Sequence, residues 1–311
     1  MSAGPDISVV IPVFDKAEAL PHVVAAFARQ SPMPDAEYIF VDDASRDGSV
    51  AVLKGLAGKL PGLSVIENDT NAGPAVRLNQ GAALARGRLL CLLDGDEIIA
   101  PDAIVTMARL MAETDADMVH GKVARTRLPL PGLQTPAIGA NPAYSVSDVP
   151  LATIACGRGF VRMAWMATAD LFRAAGGCDP RIFIQDESLP LRLASKARRF
   201  VDLRAAVTSA GTTGGHLSSN RAQQHHDRFF AAWNLLCDSD GLPDDVVRAL
   251  RRRCFSAARR AAGAGLEGHQ VRLSLDYMIS RILPGLDRRE ELARIAGWLE
   301  AMPGIRRTVA S

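Results

Sequence analysis

The chain has 311 residues, 48% of them hydrophobic, and a net charge of +2. This length allows one large domain or a domain with an extension, and so even a charge balance excludes a nucleic-acid binder driven by bulk charge. The charge is unevenly spread: residues 1–120 hold 9 Lys and Arg against 17 Asp and Glu, a net of −8, and the rest carries +10. An acidic front and a basic back suggest different partners for the two regions.

In chain order, short apolar runs at 7–13 (ISVVIPV), 37–42 (EYIFVD), 63–67 (LSVIE) and 88–94 (RLLCLLD) alternate with helix-like segments near 15–29, 49–59, 74–86 and 101–112. The alternation predicts right-handed crossovers and a mainly parallel α/β sheet. The unbroken apolar character of the runs predicts helices on both faces. Residues 117–123 (DMVHGKV) read as a further strand. The stretch 127–152 holds five prolines and reads as a mobile lid or substrate loop. Residues 159–177 read as a strand and a short helix closed by Gly176 and Gly177, 186–196 as a helix and 199–203 as a strand. From residue 219 onward the pattern is helical, over 219–237, 243–263, 268–282 and 287–302. The expected organisation is an α/β domain over 1–218 and a helical extension over 219–311.

Five scattered cysteines, with no CxxC spacing, point to reduced thiols and a cytoplasmic setting. No signal peptide is expected from the N-terminal pattern, and no run is long and apolar enough for a membrane span.

Polar residues close the predicted strands at their carboxyl ends, where ligands of open α/β sheets bind: Asp15, then Asp42 and Asp43, then Asp94. Asp94-Gly95-Asp96 places two carboxylates around a glycine. Such a pair can share a hard divalent cation, and can equally be a solvated turn. Asn71, Gly73, Arg77 and Asn79 precede the strand that ends in Asp94, so three polar clusters would converge on one crevice. The dinucleotide fingerprint G-x-G-x-x-G and the P-loop motif are both absent.

ISVVIPVFDKAEAL, FVDDASRDGS, NAGPAVRLNQGAALARGRLLCLLDGDEIIAPDAI and GGCDPRIFIQDESLPLRLA occur in this order across about residues 6–216. Together they resemble the successive signature segments of family 2 glycosyltransferases of the GT-A fold. The resemblance implies transfer of one sugar from a nucleotide-diphosphate donor, with inversion and a divalent metal, Mn²⁺ or Mg²⁺. It implies that Pro12 and Phe14 line the nucleoside, and that Asp43 or its neighbour Asp42 recognises the base. Arg77 would meet the nucleotide or its phosphates. Asp94 and Asp96 match the metal-binding pair, and Asp186 matches the general base, with Glu187 as the competing carboxylate and Gln185 where the family commonly has Glu. His216 stands where relatives often complete the metal site, and is otherwise structural. Arg221 is a candidate phosphate contact. Trp165 either stacks on an acceptor sugar or packs in the core.

The pore helices and Gln-x-x-Arg-Trp motif of processive synthases are absent, which favours single addition to a glycan or lipid-linked acceptor, in cell-surface polysaccharide or glycoconjugate synthesis. The different-class alternative is a catalytically silent nucleotide-sugar-binding or scaffold protein. The segment 244–266 reads as a basic helix with an apolar stripe of Val247, Leu250, Cys254 and Ala258. It is either a solvated basic face on a packed helix or a peripheral contact with anionic lipid. Helical tails of this kind also commonly form homodimers.

Overall fold

The apolar runs at the front of the chain become strands because each carries β-branched and large aliphatic side chains that helices cover from both sides. The computed structural model describes residues 5–157, 159–160, 162–212, 220–263 and 268–307. Strands β1 (Ile7–Val13), β2 (Ala36–Asp42), β3 (Leu63–Ile66) and β4 (Leu89–Leu92) alternate with helices α1 (Leu20–Ala28), α2 (Ser49–Leu56) and α3 (Pro74–Leu84). Then come β5 (Glu97–Ile99), α4 (Ala103–Thr114), β6 (Met118–Pro129), β7 (Tyr144–Ser147), α5 (Pro150–Cys156), β8 (Trp165–Thr168), α6 (Ala169–Ala174), α7 (Gln185–Ala194) and β9 (Phe200–Thr212). Four helices follow: α8 (Arg221–Asp238), α9 (Asp244–Ala262), α10 (Gln270–Ile282) and α11 (Arg289–Glu300).

The strands form one nine-stranded sheet in the order β3-β2-β1-β4-β8-β6-β9-β5, with β7 beside β9. Pairing is parallel from β3 through β4 and between β6 and β9. It is antiparallel where β8 joins β4 and β6, and at β5 and β7. The first four strands therefore bring their carboxyl ends to one edge, as their alternation with helices requires.

Two sequence expectations change, and of the two readings of the basic helix the structure matches the packed one. The stretch 127–152 is not one irregular lid: β6 runs into it, and β7 inside it pairs with β9 from Tyr144 against Leu203 to Ser147 against Phe200. The expected strand at 199–203 is the start of the thirteen-residue β9, whose Ala- and Ser-rich second half has weak strand propensity and is held by its neighbours β5 and β6. The basic helix, α9, is a core helix. Leu250, Cys254, Phe255 and Ala258 are buried, Arg253 donates to the backbone oxygen of Gly157 at 3.2 Å, and Arg251 pairs with Asp287 at 2.6 Å.

Two apolar clusters flank the sheet. One is built from α1, α4 and their strands, around Phe27, Leu20 and Met107. The other runs without interruption from β4 and α3 through Trp165 and Phe200 to Phe229, Phe255 and Leu299. The helices from α8 to α11 thus share their core with the face of the sheet that carries α7. Among the described residues, no helix is long and apolar enough to cross a membrane.

Candidate active site

A cavity of about 520 Å³ opens at the carboxyl edge of β1, β2 and β4. Pro12, Val13 and Phe14 reach it from the end of β1, Asp43 from β2, and Asp94, Gly95, Asp96 and Glu97 from the turn after β4. The N-terminal turn of α7 closes the opposite wall with Gln185, Asp186 and Glu187, preceded by Phe183 and Ile184. The turn after β4 packs tightly on β1: a Cβ at Gly95 would lie 2.9 Å from the Pro12 carbonyl oxygen, so glycine is required there. Gly73 has φ +93°, and a Cβ on it would meet the Phe183 ring at 2.7 Å. A side chain at that position would be both strained and obstructed.

Asp43 is buried and saturated. Its Oδ1 accepts from Ala72 N at 2.8 Å and Arg77 Nε at 2.7 Å, and its Oδ2 from Gly73 N at 2.9 Å. Arg77 also donates to Gln80 Oε1 and the Thr70 carbonyl. Its guanidinium is therefore consumed beneath the cavity and does not line it, contrary to the expectation of a phosphate contact. Asp42 likewise does not reach the cavity. The alternation of side chains along β2 turns it away from Asp43, and its Oδ2 accepts from Ser45 N at 3.0 Å.

The floor is acidic. Asp94 accepts from Gln185 Nε2 at 2.8 Å, Asp96 from Lys16 Nζ at 2.6 Å, and Glu97 from Thr208 Oγ1 at 2.5 Å. Burial, and then repulsion from Asp96, push the Asp94 carboxyl up to about 7. Burial and Asp94 push Glu97 well above the usual carboxylate range. This is the signature of hard oxygen donors short of positive charge, and it fits a divalent cation bound at Asp94 and Asp96. Among the described residues, no three His, Cys, Asp or Glu side chains converge tightly enough to hold a metal alone. A cation here would draw its remaining ligands from substrate oxygens or water, as Mg²⁺ commonly does. His216, the predicted further ligand, lies outside the described residues.

Asp186 is half-buried on the cavity wall. Burial, then Glu187 and Asp94, raise its carboxyl well above the usual range, while Arg228 and Arg162 pull it back. Glu187 also lines the cavity but is paired: Arg228 donates Nε to Oε2 at 2.9 Å and Nη2 to Oε1 at 2.5 Å. Of the two carboxylates only Asp186 is left for a substrate. Trp165 is fully buried. Its Nε1 donates to the Arg162 carbonyl at 2.7 Å and its ring lies against His120 and Phe200, so it packs the core and touches no acceptor. Arg221, at the start of α8, is exposed away from the cavity.

Among the described residues, the cations that line it are Lys16, Arg125, Arg162, Arg228 and Arg306. Sequence reasoning missed all five. Lys16 had a signal, since it follows Phe14-Asp15 within the first signature segment; the other four come from separate elements with no shared motif. Arg306 arrives through the C-terminal segment. Gln223, fully buried on α8, accepts from Arg306 N at 2.7 Å and donates to Arg306 O at 3.1 Å. The Arg306 guanidinium then lies over Phe183, 5.8 Å from the ring centroid.

An open sheet whose strand ends carry a buried aspartate and a D-x-D turn, with a helical extension packed on it, has the architecture of the GT-A class of fold. Comparison with known proteins agrees. Residues 8–136 match the sequence model of Glycosyl transferase family 2. It is 30% identical over 119 residues to a poly(ribitol-phosphate) beta-glucosyltransferase of Bacillus spizizenii, covering 38% of this chain and 19% of that one. It is 31% identical over 123 residues to a PGL/p-HBAD biosynthesis glycosyltransferase of Mycobacterium bovis, covering 39% and 48%. The alignments thus span less than half of these relatives. The fold matches S. aureus TarS 1-349 in complex with UDP, with a TM-score of 0.67 and 18% identity over 95% of this chain and 88% of that one. It also matches the mannosyltransferase PcManGT of Pyrobaculum calidifontis in complex with GDP-Man and Mn²⁺, with a TM-score of 0.61, 16% identity and 96% and 86% coverage.

Proposed function

We propose that the protein is an inverting glycosyltransferase that moves one sugar from a nucleotide-diphosphate donor, UDP-linked, to a hydroxyl of a glycan or lipid-linked acceptor in cell-surface polysaccharide synthesis. What supports this reading is that Asp94, Asp96 and Asp186 line one cavity together with Arg125, Arg162 and Arg306. Pro12, Phe14 and Asp43 form the nucleoside end. The rigid backing of Asp43 by Arg77 holds an acceptor oxygen toward the base with no side-chain entropy left to lose. UDP in TarS and GDP-Man with Mn²⁺ in PcManGT support a nucleotide and a divalent cation in the same fold.

Mn²⁺ or Mg²⁺ at Asp94 and Asp96 would neutralise charge on the leaving diphosphate. Arg125, Arg162 and Arg306 face the same leaving group and offset its developing charge. Asp186 takes the proton from the attacking hydroxyl. Its raised proton affinity makes it a stronger base once ionised, and Arg228, through Glu187, keeps the adjacent carboxylate from competing for that proton. A single displacement with the base opposite the leaving group inverts the anomeric carbon. Residues 219–311 act as part of the same site, since Arg228 and Arg306 come from them.

The test is Asp186→Asn. UDP affinity in the presence of Mn²⁺ should stay within about two-fold, while sugar transfer or donor hydrolysis falls by about 10²–10⁴-fold. Full turnover in this variant, or a covalent sugar adduct on Asp186, overturns the mechanism. Failure of the wild-type protein to bind UDP overturns the reading as a whole.

A further inference from the structure

Helix α10 packs one side on the core and carries an apolar side outward. Leu273 and Ser280 face inward, together with Asp276, which is buried and paired with Arg288. A surface helix normally turns only one such face to the core and fills the other with charge. Here the outward face carries Val271, Leu275, Met278 and Ile282, which are 76%, 55%, 55% and 71% exposed. Steps of four, three and four residues at about 100° each keep these four side chains within a band of about 60°. Just past the helix end, Leu283 and Leu286 are also at least half exposed. Exposed apolar side chains scattered singly need no explanation; four on one stripe with two more just beyond it do.

The exposed charges of α10 itself have one sign; beyond it, the exposed Asp287 is paired with Arg251, and Glu290 is exposed beside Arg289. Arg272 and Arg281 are the exposed charged residues of α10, and they lie on opposite flanks, each about 80–100° from the stripe. The helix has one carboxylate, Asp276, and it is turned inward. Arg259 of α9 is exposed alongside, its guanidinium over the Tyr277 ring at 4.8 Å. Arg289 is exposed at the start of α11. An apolar stripe bordered by arginines on both sides is the arrangement of a helix that lies in a lipid–water interface. A second copy of the chain would fit less well. Stripe against stripe, the flanking arginines of the two copies would face one another with no exposed carboxylate on either helix to answer them. Anionic headgroups supply that counter-charge on both flanks, while the aliphatic side chains enter the acyl boundary.

We propose that the outer face of α10, extended by Leu283 and Leu286, seats the protein peripherally on an anionic lipid surface. This places the contact on α10 rather than on the basic helix α9, whose apolar side is already buried. It is independent of the catalytic reading, since none of these residues lines the cavity.

The experiment is co-sedimentation of the full chain with vesicles of phosphatidylcholine alone and of phosphatidylcholine mixed with phosphatidylglycerol, at low and high salt. The wild type should bind the mixed vesicles, more at low salt, and bind phosphatidylcholine weakly. Leu275→Asp/Ile282→Asp and Arg272→Glu/Arg281→Glu should each lower binding at least ~10-fold; the first keeps the thermal midpoint because both positions are exposed, and Arg281→Glu alone, which spares the contact of Arg272 with the Trp298 ring at 5.7 Å, lowers binding with the midpoint unchanged. The proposal is overturned if the mixed vesicles are not bound, or if both double variants bind like the wild type. It is also overturned if the wild type is a dimer that Leu275→Asp/Ile282→Asp converts to a monomer, which would assign the face to a second copy.

Discussion

Asp43→Asn exchanges one carboxylate oxygen for an NH₂ group and should be among the most damaging substitutions in the molecule. Both carboxylate oxygens are engaged: Oδ1 by Ala72 N and Arg77 Nε, Oδ2 by Gly73 N. An asparagine amide must turn its NH₂ toward one side or the other. In either orientation a donor meets a donor, and the Arg77 guanidinium loses its counter-charge. The side chains of Asp43 and Arg77 are only 3% and 7% exposed, so water does not compensate. Breaking a buried ion pair from one side costs about 3–5 kcal/mol. The assay is urea unfolding of the metal-free, nucleotide-free protein, which separates this loss from any effect on ligand binding. Arg77→Met should cost a similar amount. The double variant Asp43→Asn/Arg77→Met should lose less than the two single losses together, by about 1–3 kcal/mol, because the second change removes a partner already stranded. If Asp43→Asn unfolds within about 1 kcal/mol of the wild type, or the two losses simply add, the argument that Asp43 is held by Arg77 fails.

Gln185→Glu would set a third carboxylate beside Asp94, where the amide now donates to Oδ1 at 2.8 Å. The metal-free protein should lose about 1–3 kcal/mol, and Mn²⁺ should raise the thermal midpoint of the variant more than that of the wild type; equal shifts would show that no cation neutralises this cluster. His120 is buried against Phe160 and Trp165, and burial followed by Lys122 lowers its proton affinity to about 3. The unfolded chain protonates near 6.5, so the stability from keeping His120 neutral is complete above that pH and is lost as pH falls toward about 3. At pH 5 the loss should be about 2 kcal/mol relative to pH 7. His120→Leu, compared by urea unfolding at both pH values, should lose about that much less than the wild type; identical losses would place the acid sensitivity elsewhere.

The parts of this fold that were legible in the sequence are those set by local patterning. β1, β2 and β4 are unbroken apolar runs ending in carboxylates, and that pattern alone located the edge where Asp43 and Asp94 meet. What escaped was set by partners distant in the chain. β5 has three residues, and its Glu97 is a strand residue because Ala210 pairs with it and Thr208 satisfies its carboxylate. No window around Glu97 contains that information. The role of Arg77 was misplaced for the same reason. An arginine at the start of a helix below a nucleotide edge reads as a phosphate ligand until Asp43 and the Thr70 carbonyl are seen to occupy it. Trp165 has a Met on one side and Ala-Trp-Met-Ala around it, a context equally suited to a wall of a sugar site. Only its burial between His120 and Phe200 decides the question.

The uneven charge along the chain has a different meaning in three dimensions than in one. An acidic front and a basic back suggested two partners, but the structure folds them into two walls of one cavity. The front contributes Asp43, Asp94, Asp96 and Glu97; the back contributes Arg125, Arg162, Arg228 and Arg306. The two sets do not cancel. Arg228 is committed to Glu187, and Lys16 is the cation that reaches Asp96, whereas Asp94 and Glu97 are left with raised proton affinities. On the other wall burial and the neighbouring Arg125 make the Arg162 guanidinium easier to deprotonate than usual. Burial, reinforced by like-charged neighbours, thus disfavours the charged forms of Asp94, Glu97 and Arg162, which line one space of about 520 Å³. A ligand with a single charge would relieve one wall and aggravate the other. A divalent cation on the acidic floor, together with phosphates toward the arginines, relieves both at once. That pairing supports the reading of a metal–nucleotide-diphosphate complex more strongly than the D-x-D turn does by itself.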